Sequence, residues 1–120
     1  MKKLKCHCGA IEAEINTPEN LNKILRCNCS LCKRKGAIMS MVKNEDFKIT
    51  KGKDKLNIYQ FHTKVAKHYF CSICGIYTHH NPRSNPKMTG FNLGCLDDLD
   101  TFNLKDITLI DGHNHPLDNK

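Results

Sequence analysis

Cys27-Asn28-Cys29-Ser30-Leu31-Cys32 places three thiols within six residues, and Lys33-Arg34-Lys35-Gly36 follows at once. In an extended strand, residues two apart share a face but lie about 6.8 Å apart along the axis. Sulfurs so spaced cannot both reach one ion through Zn–S bonds of about 2.3 Å. If this run binds metal, it must be coiled into a tight loop.

Five further cysteines, Cys6, Cys8, Cys71, Cys74 and Cys95, bring the total to eight. The chain has 120 residues, is 39% hydrophobic and lacks Trp. A core that lean needs covalent or metal support. Disulfides are the rival explanation. The start, Met1-Lys2-Lys3-Leu4-Lys5, leads straight to Cys6 without the apolar run of a secretory signal. No stretch approaches the roughly 18 apolar residues of a membrane span. The expectation is a cytoplasmic chain with reduced thiols, where clustered cysteines point to metal.

The net charge of +7 invites a nucleic-acid reading. Seven thiolates around two divalent ions would lower it to about +4. The lysines are scattered, and aromatics make up only 7% of the chain, too few for a stacking surface. Nucleic-acid binding is therefore not expected.

Alternation marks the strands. Ile11, Ala13 and Ile15 share one face and Glu12 and Glu14 the other. Asn16-Thr17-Pro18-Glu19-Asn20 breaks that strand. Lys23–Arg26 leads into the thiol run, and the Met-rich stretch Ala37–Lys43 leaves it. Phe47–Thr50 and Leu56–Phe61 alternate across the turn Lys51-Gly52-Lys53-Asp54. Val65–Phe70 leads into Cys71-Ser72-Ile73-Cys74-Gly75, and Ile76–His80 leads out of it. The segment from Pro82 to Pro86 reads as a loop, and Met88–Cys95 and Ile107–Ile110 as strands. Eight or so short strands with frequent turns predict a mainly β fold of short antiparallel strands with little helix, as a single domain over residues 1–120.

Cys6-His7-Cys8-Gly9 is a compact metal-type corner in which Gly9 permits positive φ. With Cys71 and Cys74 it reads as two halves of one tetrahedral Cys₄ site. Four thiolates fill every position, so such a zinc is structural, and its binding energy is folding energy. The bland reading is that one pair is merely buried. Cys27, Cys29 and Cys32 then offer three ligands and an open position, the catalytic pattern. The alternative is a closed site completed by Cys95 or a His.

Other candidates are weaker. Cys95 is a fourth ligand, a redox nucleophile or, as expected here, a small buried residue. His79 and His80 are adjacent, so a strand points them to opposite faces; they are expected to be partly exposed and silent. His113 and His115 are a weak chelating pair, and Asp97, Asp98 and Asp100 read as a solvated acidic loop.

Four segments in this order, Cys-His-Cys-Gly, Arg-Cys-Asn-Cys-Ser-Leu-Cys-Lys-Arg-Lys-Gly, Tyr-Phe-Cys-Ser-Ile-Cys-Gly and Gly-Cys-Leu-Asp-Asp, resemble the glutathione-dependent formaldehyde-activating enzyme (GFA) family, which includes the centromere protein V type. The resemblance spans about residues 5–100. It implies an Mss4-like, zinc-stapled β fold with two zinc ions. Cys6, Cys8, Cys71 and Cys74 would hold the structural zinc. Cys27, Cys29 and Cys32 would hold the second, where glutathione acts.

The expected chemistry is thiol activation. Coordination deprotonates a thiol at neutral pH, and its sulfur then attacks a small aldehyde such as formaldehyde, or the reverse carbon–sulfur cleavage occurs. Lys33, Arg34 and Lys35 would offset the thiolate charge and bind the substrate's carboxylates; otherwise they form a solvated turn. The alternative function is a non-catalytic zinc-stapled module that binds protein or nucleic acid. A thiol redox enzyme using Cys95 is a third reading, but the motifs around Cys95 do not match one.

Overall fold

The computed structural model describes residues 1–18, 21 and 23–112. His113 and His115, and Glu19 and Asn20 of the expected break, lie outside the described residues.

Ten strands form among the described residues: β1 Lys2–Lys5, β2 Glu12–Ile15, β3 Leu25–Cys27, β4 Met39–Lys43, β5 Phe47–Lys51, β6 Leu56–Tyr59, β7 Lys67–Cys71, β8 Tyr77–Asn81, β9 Met88–Asn92 and β10 Thr108–Ile110. One short helix, α1, covers Ser30–Lys35. The mainly β expectation holds. Two sheets result, a small one ordered β1-β2-β5 and a seven-stranded one ordered β10-β3-β4-β9-β8-β7-β6. No helix is long and apolar enough to cross a membrane.

Two elements depart from the sequence expectation. Strand β1 was not anticipated because three of its four residues are lysines, which obscure the alternation. Leu4 and Lys2 nevertheless point inward. Lys2 tolerates burial because its ammonium reaches Asp98 Oδ2 at 3.3 Å. The second departure is β10, which pairs with β3 in parallel rather than antiparallel like the other strand pairs. A parallel partner requires a long crossover, and residues 28–107 supply it.

Leu4, Ala13 and Ile15 of the small sheet meet Val42, Phe91, Leu93, Cys95 and Leu96 in the main core. Cys95 is thus a buried core residue, with its Sγ 3.7 Å from the Tyr77 carbonyl oxygen. Burial pushes its thiol up to about 12, which leaves it protonated and a poor nucleophile. The acidic loop is solvated, as expected, with Asp97, Asp98 and Asp100 all exposed, and it also makes local contacts. Asp98 holds Lys2, Asp97 lies 3.8 Å from Lys5, and Asp100 accepts from the Phe102 N–H at 3.0 Å to cap a 3₁₀ turn.

His79 joins the two sheets. Its ring stacks on Tyr69 at 4.4 Å and meets Phe47 of β5 at 4.5 Å, and its Nδ1 lies 2.9 Å from the Thr78 hydroxyl. Burial therefore contradicts the expectation of a partly exposed histidine, and it holds the imidazole down to about 4 from its ordinary 6.5. The unfolded chain takes this proton near pH 6.5 and the folded chain only near pH 4. Stability contributed by neutral His79 thus falls as pH drops through that window and levels off below it. His79→Gln is expected to give a shallower fall in urea midpoint between pH 7 and 5 than the native protein shows, and an unchanged slope would refute the assignment.

Candidate functional site

The first cysteine cluster joins two knuckles. Cys6 and Cys8 follow β1, and Cys71 and Cys74 follow from β7. Their four sulfurs lie within 4.8 Å of one another. Cys8 Sγ is 3.7 Å from both Cys6 and Cys71 Sγ. Tetrahedral ligands at about 2.3 Å from a common centre would be about 3.8 Å apart, so the donor set fits a four-sulfur metal site. Backbone N–H groups already face these sulfurs: Ile11 N is 3.3 Å from Cys6 Sγ, and Ile73 N is 3.4 Å from Cys71 Sγ. The cluster packs against Ile11, Ala10, Ile49 and Leu56 as a second small core.

The second cluster is local in sequence. Cys27 ends β3, Cys29 caps α1, and Cys32 lies in its first turn. This is the coiling that the spacing demanded, achieved by a helix start. Cys29 accepts from the Cys32 N–H at 3.3 Å, and Cys27 from the Cys29 N–H at 3.5 Å. The three sulfurs lie within 4.8 Å of one another. Among the described residues no fourth Cys, His, Asp or Glu joins the group. The Cys32 hydrogen bond, aided by N–H groups of Cys29 and Gly112, holds Cys27 down to about 5. The same hydrogen bond and burial push Cys32 up.

Backbone from the distant β10 closes one side. Asn28 N–H donates to the Ile110 carbonyl at 3.2 Å, and the Asn28 amide reaches Asp111 Oδ1 at 3.1 Å. This brings Gly112 so close that a Cβ there would fall 2.5 Å from Cys27 Sγ. Only glycine fits.

The three sulfurs open onto a cavity of about 510 Å³. Its wall is largely apolar, with Leu25, Met39, Met41, Met88 and Phe61, and its polar members include His68, His80 and Arg83. A single register row builds part of this wall: Tyr59, His68, His80, Gly90 and Met41 are successive cross-strand partners from β6 to β4. Gly90 is essential to the row, since a Cβ there would overlap the His80 ring and sit 2.9 Å from Met41 Sδ.

The three basic residues after the triplet separate. Lys33 and Arg34 are exposed. Lys33 borders a smaller hollow of about 360 Å³ beside Cys27, and Arg34 donates to the Ser30 carbonyl at 2.8 Å. Lys35 turns inward, with Nζ 3.7 Å from the Tyr77 ring centre and 2.8 Å from His68 Nδ1. Burial pulls its ammonium down to about 8, against the opposing pull of the Cys32, Cys29 and Cys27 sulfurs. None of the three is among the residues lining the large cavity.

His79 and His80 do point to opposite faces, one to the inter-sheet core and one to the cavity, but both are buried. His68 and Arg83 were missed by sequence reasoning. His68 sits three residues before Cys71, on the same strand as a metal-type knuckle, which was a usable signal. Arg83 lies between Pro82 and Pro86, a rigid stretch read only as a loop.

The sequence pattern of the glutathione-dependent formaldehyde-activating enzyme family matches residues 1–108. The crystal structure of a Rhodobacter sphaeroides protein is similar, with 41% identity and a TM-score of 0.85 over 90% of this chain and 99% of that one. Motif order, cysteine geometry and sequence match agree: the chain belongs to the glutathione-dependent formaldehyde-activating enzyme family.

Proposed function

We propose that this protein is a zinc-dependent carbon–sulfur lyase of the S-(hydroxymethyl)glutathione synthase type, acting on the adduct of glutathione, or a similar thiol, with a small aldehyde such as formaldehyde. The observation that carries this reading is that Cys27, Cys29 and Cys32 converge at the wall of the 510 Å³ cavity without a fourth ligating side chain among the described residues. Family membership supports the substrate class.

The chain's residues divide the work. Cys6, Cys8, Cys71 and Cys74 would hold a structural zinc, and Cys27, Cys29 and Cys32 a second one. Zinc at the three-sulfur site supplies a positive centre that acidifies an incoming thiol. The cavity then brings the thiol sulfur and the aldehyde carbon together, excluding water with Met39, Met41 and Phe61. In the forward direction the S–C bond forms, the carbonyl π pair moves to oxygen, and oxygen gains the proton that the thiol lost. Cleavage reverses each step.

Lys35 offsets the thiolate charge from beneath, while Lys33 and Arg34 would act on a substrate only from the outer side of α1. Arg83 brings a cation to the cavity wall, and its planar fork suits a glutathione carboxylate. The non-catalytic module would need no such cavity at its metal site.

Metal analysis is expected to find two zinc ions per chain. In the cobalt-substituted protein, glutathione should shift the thiolate-to-metal absorption; no change at millimolar glutathione would count against the lyase reading. Cys29→Ser is expected to leave one tightly held zinc in a folded protein without turnover, whereas Cys71→Ser should unfold it, because only the first cluster joins distant segments. Arg83→Leu should raise KM for glutathione about 10-fold, the loss of one charge-assisted hydrogen bond of about 1.5 kcal/mol, with kcat nearly unchanged.

A further inference from the structure

His68 and His80 are unexplained by metal binding or core packing. They are directly opposed on β7 and β8, their rings stack at 5.4 Å and 10°, and both line the cavity that holds the three sulfurs. Each has its Nδ1 already engaged by a neighbouring side chain. His68 Nδ1 lies 2.8 Å from Lys35 Nζ. An ammonium has only protons to give, so His68 Nδ1 accepts, and in the neutral ring the hydrogen sits on Nε2. His80 Nδ1 lies 2.6 Å from the Tyr77 hydroxyl. Burial keeps Tyr77 a phenol, well above its ordinary 10, so its O–H is available to donate to Nδ1, the arrangement in which His80 too carries its hydrogen on Nε2.

Both rings are neutral near pH 7, because burial lowers them to about 4 and about 3. Neither Nε2 has a protein partner among the described residues, and no fully buried side-chain nitrogen or oxygen there is left unpartnered. Both residues line the cavity, and with Nδ1 engaged, Nε2–H is the group each ring has to offer there.

We propose that the Nε2–H groups of His68 and His80 form a paired donor wall that binds the oxygen on the carbon undergoing S–C bond formation or cleavage, with Lys35 and Tyr77 as the positioning residues that fix both tautomers. The inference rests on the lyase reading and deepens it. It assigns the substrate as a carbonyl compound or its hemithioacetal, which bears oxygen on the carbon next to sulfur, rather than a thioether.

Addition of the thiolate forms the S–C bond and sends the carbonyl π pair to oxygen. Two fixed N–H donors oppose the charge developing there, and oxygen then takes up the proton that left the thiol. Cleavage runs the same electrons back, with the pair of the S–C bond returning to sulfur. Neutral imidazole is a suitable donor for this task, since it polarises a carbonyl without requiring a buried cation, and a preorganised donor at a developing oxyanion is typically worth about 10²–10³-fold in kcat.

Two measurements test the wall. Imidazole ¹⁵N spectra of the zinc-loaded protein at pH 7 should show His68 and His80 as Nε2–H tautomers, and Lys35→Met should release His68 from that state. An Nδ1–H tautomer on either ring overturns the proposal whatever the turnover. With formaldehyde and glutathione, His68→Phe should lose about 100-fold in kcat with KM for glutathione nearly constant, while His68→Gln, which retains an N–H donor, should recover at least about 10-fold of it. Equal losses in the two variants, or a loss confined to KM, would overturn it.

If the native protein shows no turnover, the lyase reading fails, and the wall is judged by binding. The native protein should prefer S-hydroxymethylglutathione, made by mixing formaldehyde and glutathione, over the near-isosteric S-ethylglutathione, and His68→Phe should abolish the preference. Equal native affinity for the two would sink the wall.

Discussion

The fold depends on four sulfurs brought together from the two sides of a long excursion. Cys6 and Cys8 lie on the turn between β1 and β2, while Cys71 ends β7 and Cys74 lies on the turn from β7 to β8. The first turn belongs to the small sheet and the second to the large one. The link thus fixes one sheet against the other at a single corner. Closing a loop of that length costs entropy only logarithmically in its length, so a cluster able to bind a metal is an efficient way to secure a chain with little apolar mass. The aliphatic core then needs only to fill the remaining space between β1–β2 and β4–β9.

The three-sulfur site is organised differently. Its donors are neighbours in sequence and need no long-range closure. What the fold supplies is the wall around them. Leu25, Cys32 and Met39 form a small apolar base, and the sheet row from β6 to β4 brings two imidazoles into the same cavity. Separation of the tasks follows. One cluster holds distant segments together and is backed by apolar residues. The other has a shallow base and faces a space large enough for a substrate.

Much of this was legible in the residues. Clean alternation exposed β2, β5 and β6, and thiol spacing exposed both clusters together with the coiling of the second. What stayed hidden has physical causes. Lysine-rich β1 buries Lys2, whose ammonium reaches Asp98, almost the whole chain away. Helix α1 is six residues long, too short for a periodic pattern, and it starts where a cysteine acts as cap. The parallel β10–β3 pair depends on a crossover that no local signal announces. His80 looked silent because the space for its ring is left by Gly90 across the sheet, a residue with no side chain to signal it.

Gly112 carries a consequence for how the protein comes into being. The first cluster has all its ligands once residue 74 has been made, and most of the large sheet can assemble soon after. Cys27, Cys29 and Cys32 are synthesised far earlier, yet the backbone that flanks Cys27 arrives only with β10 and Gly112. During synthesis the four sulfurs of the first cluster are therefore all present well before the triplet acquires its finished surroundings. The surroundings of the centre are thus completed only after the first cluster's ligands and the other strands of the large sheet have been made, an order set by the sequence of the segments.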